Sequence, residues 1–432
     1  MKTLGITIGC LATACLISMA TFAQERQEQS PKLHPEKGYT LEQTLALHKR
    51  FDLGTWNSGE DIDLSRFAYL NTARFFPHAW VPRADQVSVL ESAPSDGIGK
   101  TTAKTAEGEM TLDEWTARHL DAVIVVHDCK IIYERYPRMR PSDRHIWWSV
   151  SKSVAGTIVG LLEEQGLVDV NKSIETYIPE LADSDWKGTP VIDILDHASG
   201  MTGLEADDPE AYTNPASPYG LFEASLGIQP ATGEAPKSTY DYIATLKRQK
   251  PSGKKFEYTS VNTFVVAWLA ENVTGRPYAE LVSEMIWQKM GAEADGLIQV
   301  STAGAPGAHG LINTTLRDLA RYGMLFTGSW NTIAKEQLIP DSLVREIQQD
   351  GRPAIYSAGM LKPKIDAYLG EPAAFETRQW DFVLEDGDFG KSGFDGQTLY
   401  VSPSKNLVVA SFATGKGYDT WAFARAIAKS IP

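Results

Sequence analysis

The feature that most restricts the fold is the placement of two hairpin patterns on either side of a long helical stretch. Ala122-Val123-Ile124-Val125-Val126 is apolar and β-branched, and after the polar piece His127-Asp128-Cys129-Lys130 comes Ile131-Ile132-Tyr133-Glu134-Arg135-Tyr136. Two such runs around a short polar piece read as paired strands. The second pattern, residues 398–401 and 407–413, flanks Ser402-Pro403-Ser404-Lys405-Asn406. From about 166 to 330 the chain instead alternates helical apolar patterns with Pro/Gly-rich joints at 203–218 and 303–307, and 419–431 reads as a closing helix. This order predicts an α+β fold with an antiparallel sheet built from N- and C-terminal strands and flanked by helices. Its two halves meet once the mostly helical middle folds back.

Residues 1–23 read as a secretory signal peptide. Lys2 supplies the positive charge, residues 4–22 are apolar or small, and Thr21-Phe22-Ala23 offers a small-x-small cleavage pattern before Gln24. Leu11-Ala12-Thr13-Ala14-Cys15 resembles a lipobox, but the apolar run continues past Cys15, which ranks lipidation second. The expectation is a periplasmic or secreted protein, and no later stretch is apolar enough to span a bilayer. Residues 24–115, with aromatic pieces such as Phe75-Phe76-Pro77-His78-Ala79-Trp80, read as an N-terminal extension packed on a main domain at 116–432. Once Cys10 and Cys15 leave with the signal, Cys129 stands alone in a hairpin turn, and no intramolecular disulfide can form. Lys plus Arg number 41 against 55 Asp plus Glu, a formal charge of −14. An acidic chain without a basic run disfavours nucleic acid as a partner.

Chemistry is signalled by Ser149-Val150-Ser151-Lys152, at the head of a helix whose apolar residues Val150, Val154, Ile158, Leu161 and Leu162 recur near helical spacing until Gly166. A serine hydroxyl is a weak nucleophile and needs a base. Positions i and i+3 share a helical face, so the Lys152 amine can meet the Ser149 hydroxyl. The helix N-terminus favours developing negative charge, and burial can leave an amine neutral near pH 7. The bland alternative is an N-cap serine beside a solvated lysine. The same spacing at Ser184-Asp185-Trp186-Lys187, Ser252-Gly253-Lys254-Lys255 and Ser402-Pro403-Ser404-Lys405 falls in turns; only the Ser149 copy opens an apolar helix.

Two more pieces follow. Phe256-Glu257-Tyr258-Thr259-Ser260-Val261-Asn262 precedes a helix at 263–273. A phenol there can shuttle a proton if cationic neighbours lower its pKa; otherwise it is an aromatic staple beneath the helix. Gly390-Lys391-Ser392-Gly393-Phe394-Asp395-Gly396-Gln397 supplies a lysine and glycines that let backbone N–H groups approach a substrate. It is no phosphate-binding loop, because Glu385 stands where such a loop needs glycine. His127, His145 and His197 lack metal-ligand spacing. Asp207-Asp208 and Glu163-Glu164 read as solvated faces. Trp147 and Trp148 could line a cleft, but strand neighbours point opposite ways, so at most one should. No Gly-x-Ser-x-Gly elbow is present, which disfavours a Ser-His-Asp hydrolase.

In this order the three pieces resemble the serine β-lactamase and penicillin-binding-protein superfamily, in its class C-like esterase and amidase branch. Ser149/Lys152, Tyr258/Ser260 and Lys391-Ser392-Gly393 match its Ser-x-x-Lys, Tyr-x-(Asn/Ser) and Lys-(Ser/Thr)-Gly elements. Leu195-Asp196-His197-Ala198-Ser199-Gly200-Met201 and Thr315-Leu316-Arg317-Asp318-Leu319-Ala320-Arg321 match two supporting motifs, and the likeness spans roughly 118–430. Ser149-Val150-Ser151-Lys152-Ser153 with Gly156-Thr157, Tyr258-Thr259-Ser260-Val261-Asn262-Thr263 with Ala267-Trp268 and Val273-Thr274-Gly275, and Gly396-Gln397 most resemble the 6-aminohexanoate-oligomer hydrolases.

The resemblance implies a β-lactamase-like fold and a serine hydrolase that cleaves small amides or esters through an acyl-enzyme, with no metal or organic cofactor. It implies that Ser149 is acylated, that Lys152 and Tyr258 move protons, and that the backbone N–H groups of Ser149 and Phe394 form the oxyanion hole. Ser260, Asn262, Lys391, Ser392 and Gly393 are the implied substrate contacts. Class C β-lactamases carry Asn where this chain has Ser260, which disfavours efficient β-lactam turnover. A β-lactamase or D-Ala-D-Ala carboxypeptidase is the alternative within the same chemistry. A slowly deacylating penicillin-binding sensor or a non-catalytic envelope binding protein is the alternative from another class. The leaving-group pocket and the oligomeric state stay unassigned.

Overall fold

Alternating apolar runs and left-handed turn residues build the sheets of this chain, whose computed structural model describes residues 33–201, 205 and 208–431. The signal-peptide and lipobox readings, and Asp207, lie outside the described residues. In chain order the early strands are β1 (His78–Val81), β2 (Glu91–Ser92), β3 (Thr102–Thr105), β4 (Gly108–Thr111), β5 (Leu120–His127), β6 (Lys130–Arg135) and β7 (His145–Ile146). The late ones are β8 (Gly296–Gln299), β9 (Ile312–Thr314), β10 (Phe375–Thr377), β11 (Trp380–Val383), β12 (Phe389–Gly393), β13 (Gln397–Ser402) and β14 (Leu407–Ala413). Six helices matter here: α1 (Leu41–Arg50), α2 (Ile62–Leu70), α3 (Lys152–Glu164), α4 (Ser260–Thr274), α5 (Leu316–Met324) and α6 (Thr420–Ser430).

Eight strands form one sheet in the order β10-β11-β12-β13-β14-β5-β6-β2. The two predicted hairpins meet at its centre, where β14 runs antiparallel to β5 with Val409 opposite Val125. The first hairpin turns on two residues rather than four: Asp128 (φ 45°) and Cys129 (φ 70°) take the left-handed pair that matches strand twist. β5 is buried almost end to end because helices cover both faces of the sheet. α5 lies on the face of Leu399, while α6 lies on the opposite face, where its Trp421 meets Phe382. A Cβ added at Gly323 of α5 would fall 2.7 Å from Val408 and 2.9 Å from Leu399, so this close seating needs glycine.

Local structure departs from the sequence reading at two helix starts. α3 begins at Lys152, because Trp148–Ser151 form a 3-10 turn ahead of it. α4 begins at Ser260, with the Thr259 side chain accepting from the Val261 N–H, and ends at Gly275 (φ 66°). A second sheet, β1-β8-β9-β7, was hidden by strands of only two to four residues. Residues 38–115 contribute to both sheets: β1 pairs with β8, and β2 adds a parallel edge to β6. They also supply α1 and α2, where Leu41 and Leu45 of α1 face solvent and blur its periodicity.

Charge ties α2 to the sheet. Arg66 Nε donates to Asp121 Oδ1 at 2.7 Å from a carboxylate buried in β5, which also accepts from Thr414 and lies 3.4 Å from His145 Nε2. Burial alone would raise the Asp121 carboxyl, but Arg66 and these hydrogen bonds more than offset it and hold it below the usual range. Removing one partner of a buried pair strands the other charge, so Arg66→Ala should cost about 3 to 5 kcal/mol in chemical denaturation at neutral pH. Because the folded-state pKa of Asp121 is depressed, that contribution is present above the unfolded carboxylate range and fades as pH falls. The gap between wild type and variant should therefore narrow in acid.

Candidate active site

Trp148 shapes the turn that carries Ser149. Its backbone takes φ 46°, a conformation that a bulky residue rarely adopts. Its ring is held by Trp56 (5.3 Å), Tyr69 (5.4 Å) and Phe394 (5.6 Å), measured between ring centroids. From the other side β12 closes on the same turn. A Cβ at Gly393 would fall 2.3 Å from the Trp147 carbonyl oxygen, so glycine is required there, and Phe394 is brought beside the turn.

Lys152 is wholly buried. Its Nζ donates to Ser149 Oγ at 3.1 Å, to Ser260 Oγ at 2.8 Å and to the His309 carbonyl at 2.8 Å. The expected i, i+3 meeting of hydroxyl and amine is thus present, although Ser149 lies in the 3-10 turn. Burial pushes the amine down to about 7, against the pull of the Glu205 carboxyl and with help from the positive charge of Lys391.

Tyr258 sits among cations without becoming more acidic. Lys391 Nζ donates to its hydroxyl at 3.1 Å, and the Lys391 and Lys152 amines lie 4.6 and 5.2 Å from its ring centroid. Burial, reinforced by the carboxyl groups of Asp381 and Glu205, nevertheless raises the phenol well above its ordinary value, and a hydrogen bond with Ser149 opposes this only in part. The cationic neighbours therefore do not lower its pKa, and Tyr258 stays a phenol. Beneath it the His197 ring packs at 4.7 Å, accepts the Thr259 N–H at Nδ1 (3.4 Å) and is held neutral by burial.

The implied substrate contacts separate. Ser260 lines the cleft and braces Lys152. Asn262 is buried instead, its Oδ1 accepts from Ser199 Oγ at 2.7 Å, and it is not among the residues that line the two parts of the cleft. Lys391 is buried too, with its Nζ on the Asp381 carboxylate and the Tyr258 hydroxyl. Ser392 and Gly393 do line the cleft. Of the tryptophan pair, Trp148 reaches the cleft, whereas Trp147 is buried with its Nε1 on Thr314 Oγ1 at 2.8 Å. Neither lies in a strand; the left-handed turn separates them.

The cleft has two lobes of about 230 and 290 Å³ that share Ser149, Glu205, Tyr212 and Phe394 as a common neck. Glu223, Tyr219 and Asn57 line the first lobe; Tyr258, Asp381, Tyr418 and Trp421 line the second. Tyr212 donates to Glu205 Oε1 at 3.1 Å, and Glu205 also accepts the Ser260 N–H. Sequence reasoning missed Glu205, Glu223, Tyr212, His309 and Asp381. Asp381 alone carried a usable signal, because Asp386-Gly387 between apolar runs marks a hairpin that sets it opposite Lys391. Among the described residues no group of three His, Cys, Asp or Glu side chains could hold a metal ion.

The family model for Beta-lactamase matches residues 112–429 of this chain. A 6-aminohexanoate-dimer hydrolase of Paenarthrobacter ureafaciens is 31% identical over 371 residues, covering 85% of this chain and 89% of the relative. A Bacillus anthracis structure, provisionally named as a 6-aminohexanoate-dimer hydrolase, superposes with a TM-score of 0.74 at 24% identity, covering 88% of this chain and 96% of that one. A beta-lactamase/D-alanine carboxypeptidase from Yersinia pestis gives a TM-score of 0.56 at 16% identity, covering 74% and 95%. These two structures speak for the fold.

The buried amine is directly observable. In a protein labelled at lysine Cε, one resonance should titrate near pH 7 and vanish in Lys152→Ala. Since the Glu205 carboxyl pulls this amine upward, Glu205→Gln should move that midpoint lower.

Proposed function

The chain belongs to the beta-lactamase family and is a serine hydrolase, and from that premise we propose that Ser149 is its nucleophile and a small linear amide its substrate. The observation that carries this reading is the bond between Ser149 Oγ and the buried, weakly basic amine of Lys152 at the neck of a two-lobed cleft. A neutral amine has two protons and one lone pair. When the two N–H groups of the neutral amine are donated to Ser260 Oγ and the His309 carbonyl, the lone pair is left for Ser149, and the contact that the ammonium makes as donor becomes one in which the serine hydroxyl donates.

Ser149 Oγ attacks the substrate carbonyl carbon while its proton passes to Lys152. The backbone N–H groups of Ser149 and Phe394 receive the oxyanion, an effect of about 3 kcal/mol per donor. The C–N bond then breaks as the Tyr258 phenol delivers a proton to the leaving amine and is reprotonated from the Lys152 side. Water attacks the acyl ester, the acid departs, and Ser149 regains its proton.

The first lobe supports an amine-bearing substrate. Glu205 and Glu223 place two carboxyl groups among Tyr212, Tyr219 and Asn57, a lining suited to a cationic end beyond a short aliphatic chain. A 6-aminohexanoate dimer has that shape and charge. The apolar segment at residues 4–22 supports export of the mature protein to the periplasm or beyond.

Ser149→Ala should abolish both turnover and labelling by a fluorophosphonate, with the wild-type adduct mapped to Ser149. For the wild type, kcat/KM should rise through about pH 7 as Lys152 loses its proton. In a panel of linear aminohexanoate dimer, short nitrophenyl ester, nitrocefin and D-Ala-D-Ala peptide, the dimer and the ester should turn over fastest. Rapid nitrocefin hydrolysis would overturn the linear-amide preference. Glu223→Gln should raise KM for the dimer by about tenfold while sparing the neutral ester.

A further inference from the structure

In the second lobe the carboxylate of Asp381 gathers three donors. Asp381 Oδ1 pairs with Lys391 Nζ, while its Oδ2 accepts from the Ser392 N–H at 2.8 Å and from the Ser392 hydroxyl at 2.8 Å. An ammonium, an amide and a hydroxyl converging on two oxygens are a donor set fit to bind a free carboxylate. The cradle opens on the reacting centre, since Asp381 and Ser392 line the same lobe as Ser149 and Tyr258. Its occupant comes from the fold. Phe382 pairs with Gly390 and Val383 with Phe389, which sets Asp381 opposite Lys391 across the β11-β12 ladder.

We propose that Asp381 fills, from within the chain, a carboxylate-binding site of the acyl-transfer cleft, and so selects against substrates that carry a carboxylate close to the scissile bond. The inference rests on the reading of Ser149 as the nucleophile. An incoming carboxylate meets donors that are already satisfied, and a like charge besides, whereas a neutral group meets neither. A carboxylate at the far end of a linear amide, several methylenes away, escapes this exclusion. Asp381 is thus a specificity-determining residue.

Two matched substrate pairs test this, since the side of the bond facing the lobe is not presupposed. On the acyl side the pair is 4-nitrophenyl butyrate and the 4-nitrophenyl monoester of succinate. On the leaving-group side it is phenyl butyrate and 3-carboxyphenyl butyrate. The wild type should disfavour the charged member of at least one pair by about tenfold or more in kcat/KM. In Asp381→Ala and Asp381→Asn that charged-to-neutral ratio should rise by about tenfold. Acetate should saturably restore neutral-ester turnover to Asp381→Ala and leave the wild type unaffected. Equal use of charged and neutral members of both pairs by the wild type overturns the inference, whether or not the variants fold. Unchanged ratios in variants that still label at Ser149 overturn it as well. Failure of the wild type to label at Ser149 instead overturns the nucleophile reading beneath it.

Discussion

A lysine amine sealed from solvent next to a serine hydroxyl is the constraint around which the rest of this molecule is arranged. Burying an ammonium is costly unless it is paired, and among the described residues no carboxylate lies within hydrogen-bond distance of Lys152 Nζ. Its partners among the described residues are two hydroxyls and one backbone carbonyl, all neutral. The fold therefore favours the uncharged amine, and that choice gives Ser149 a base near neutral pH. Each partner comes from a different part of the chain: the nucleophile turn, the start of α4 and the segment before β9. Forming the site requires the helical middle to close on the sheet.

The same dependence runs back to the N-terminal segment. Trp148 holds an unfavourable backbone conformation, and such strain persists only where the surroundings over-determine it. Trp56 and Tyr69 are those surroundings, together with Phe394 from the far end of the chain. Tyr69 reaches further, donating from its hydroxyl to Asp395 at 2.8 Å in the loop that carries Phe394. Residues 38–115 thus brace both the nucleophile turn and the strand end beside it, and Asn57 of this segment lines the cleft.

What the sequence disclosed follows from the range of each interaction. The central hairpins, α3, α4 and α6 were legible because their signals are local: periodicity, caps and turn residues. Ser149 with Lys152 was legible because one helical turn fixes their separation. Tyr258 could be singled out, but its acidity could not be read from neighbouring cations, since burial outweighs them and only tertiary packing sets burial. Asn262 has the right residue type two positions past Ser260, yet the helical turn points it at Ser199 beneath the cleft. The short strands of the second sheet and the neck residues Glu205 and Tyr212 depend on contacts between distant segments, which one sequence does not display.

The two lysines of the cleft show how one cavity holds opposite electrostatic solutions side by side. Both are fully buried, and burial lowers both amines. Lys391 is given a carboxylate across a strand pair, which opposes that lowering and keeps its charge balanced. Among the described residues Lys152 is given only neutral acceptors, and Lys391 a short distance away makes a second ammonium still less favourable. Tyr258 lies between them, hydrogen-bonded to Lys391 and Ser149, with its proton retained. Balancing one cation internally keeps the other amine free to accept a proton. Exchanging the neighbours of the two lysines would leave a charged residue beside the serine and no base for it, although the composition of the cleft would be unchanged.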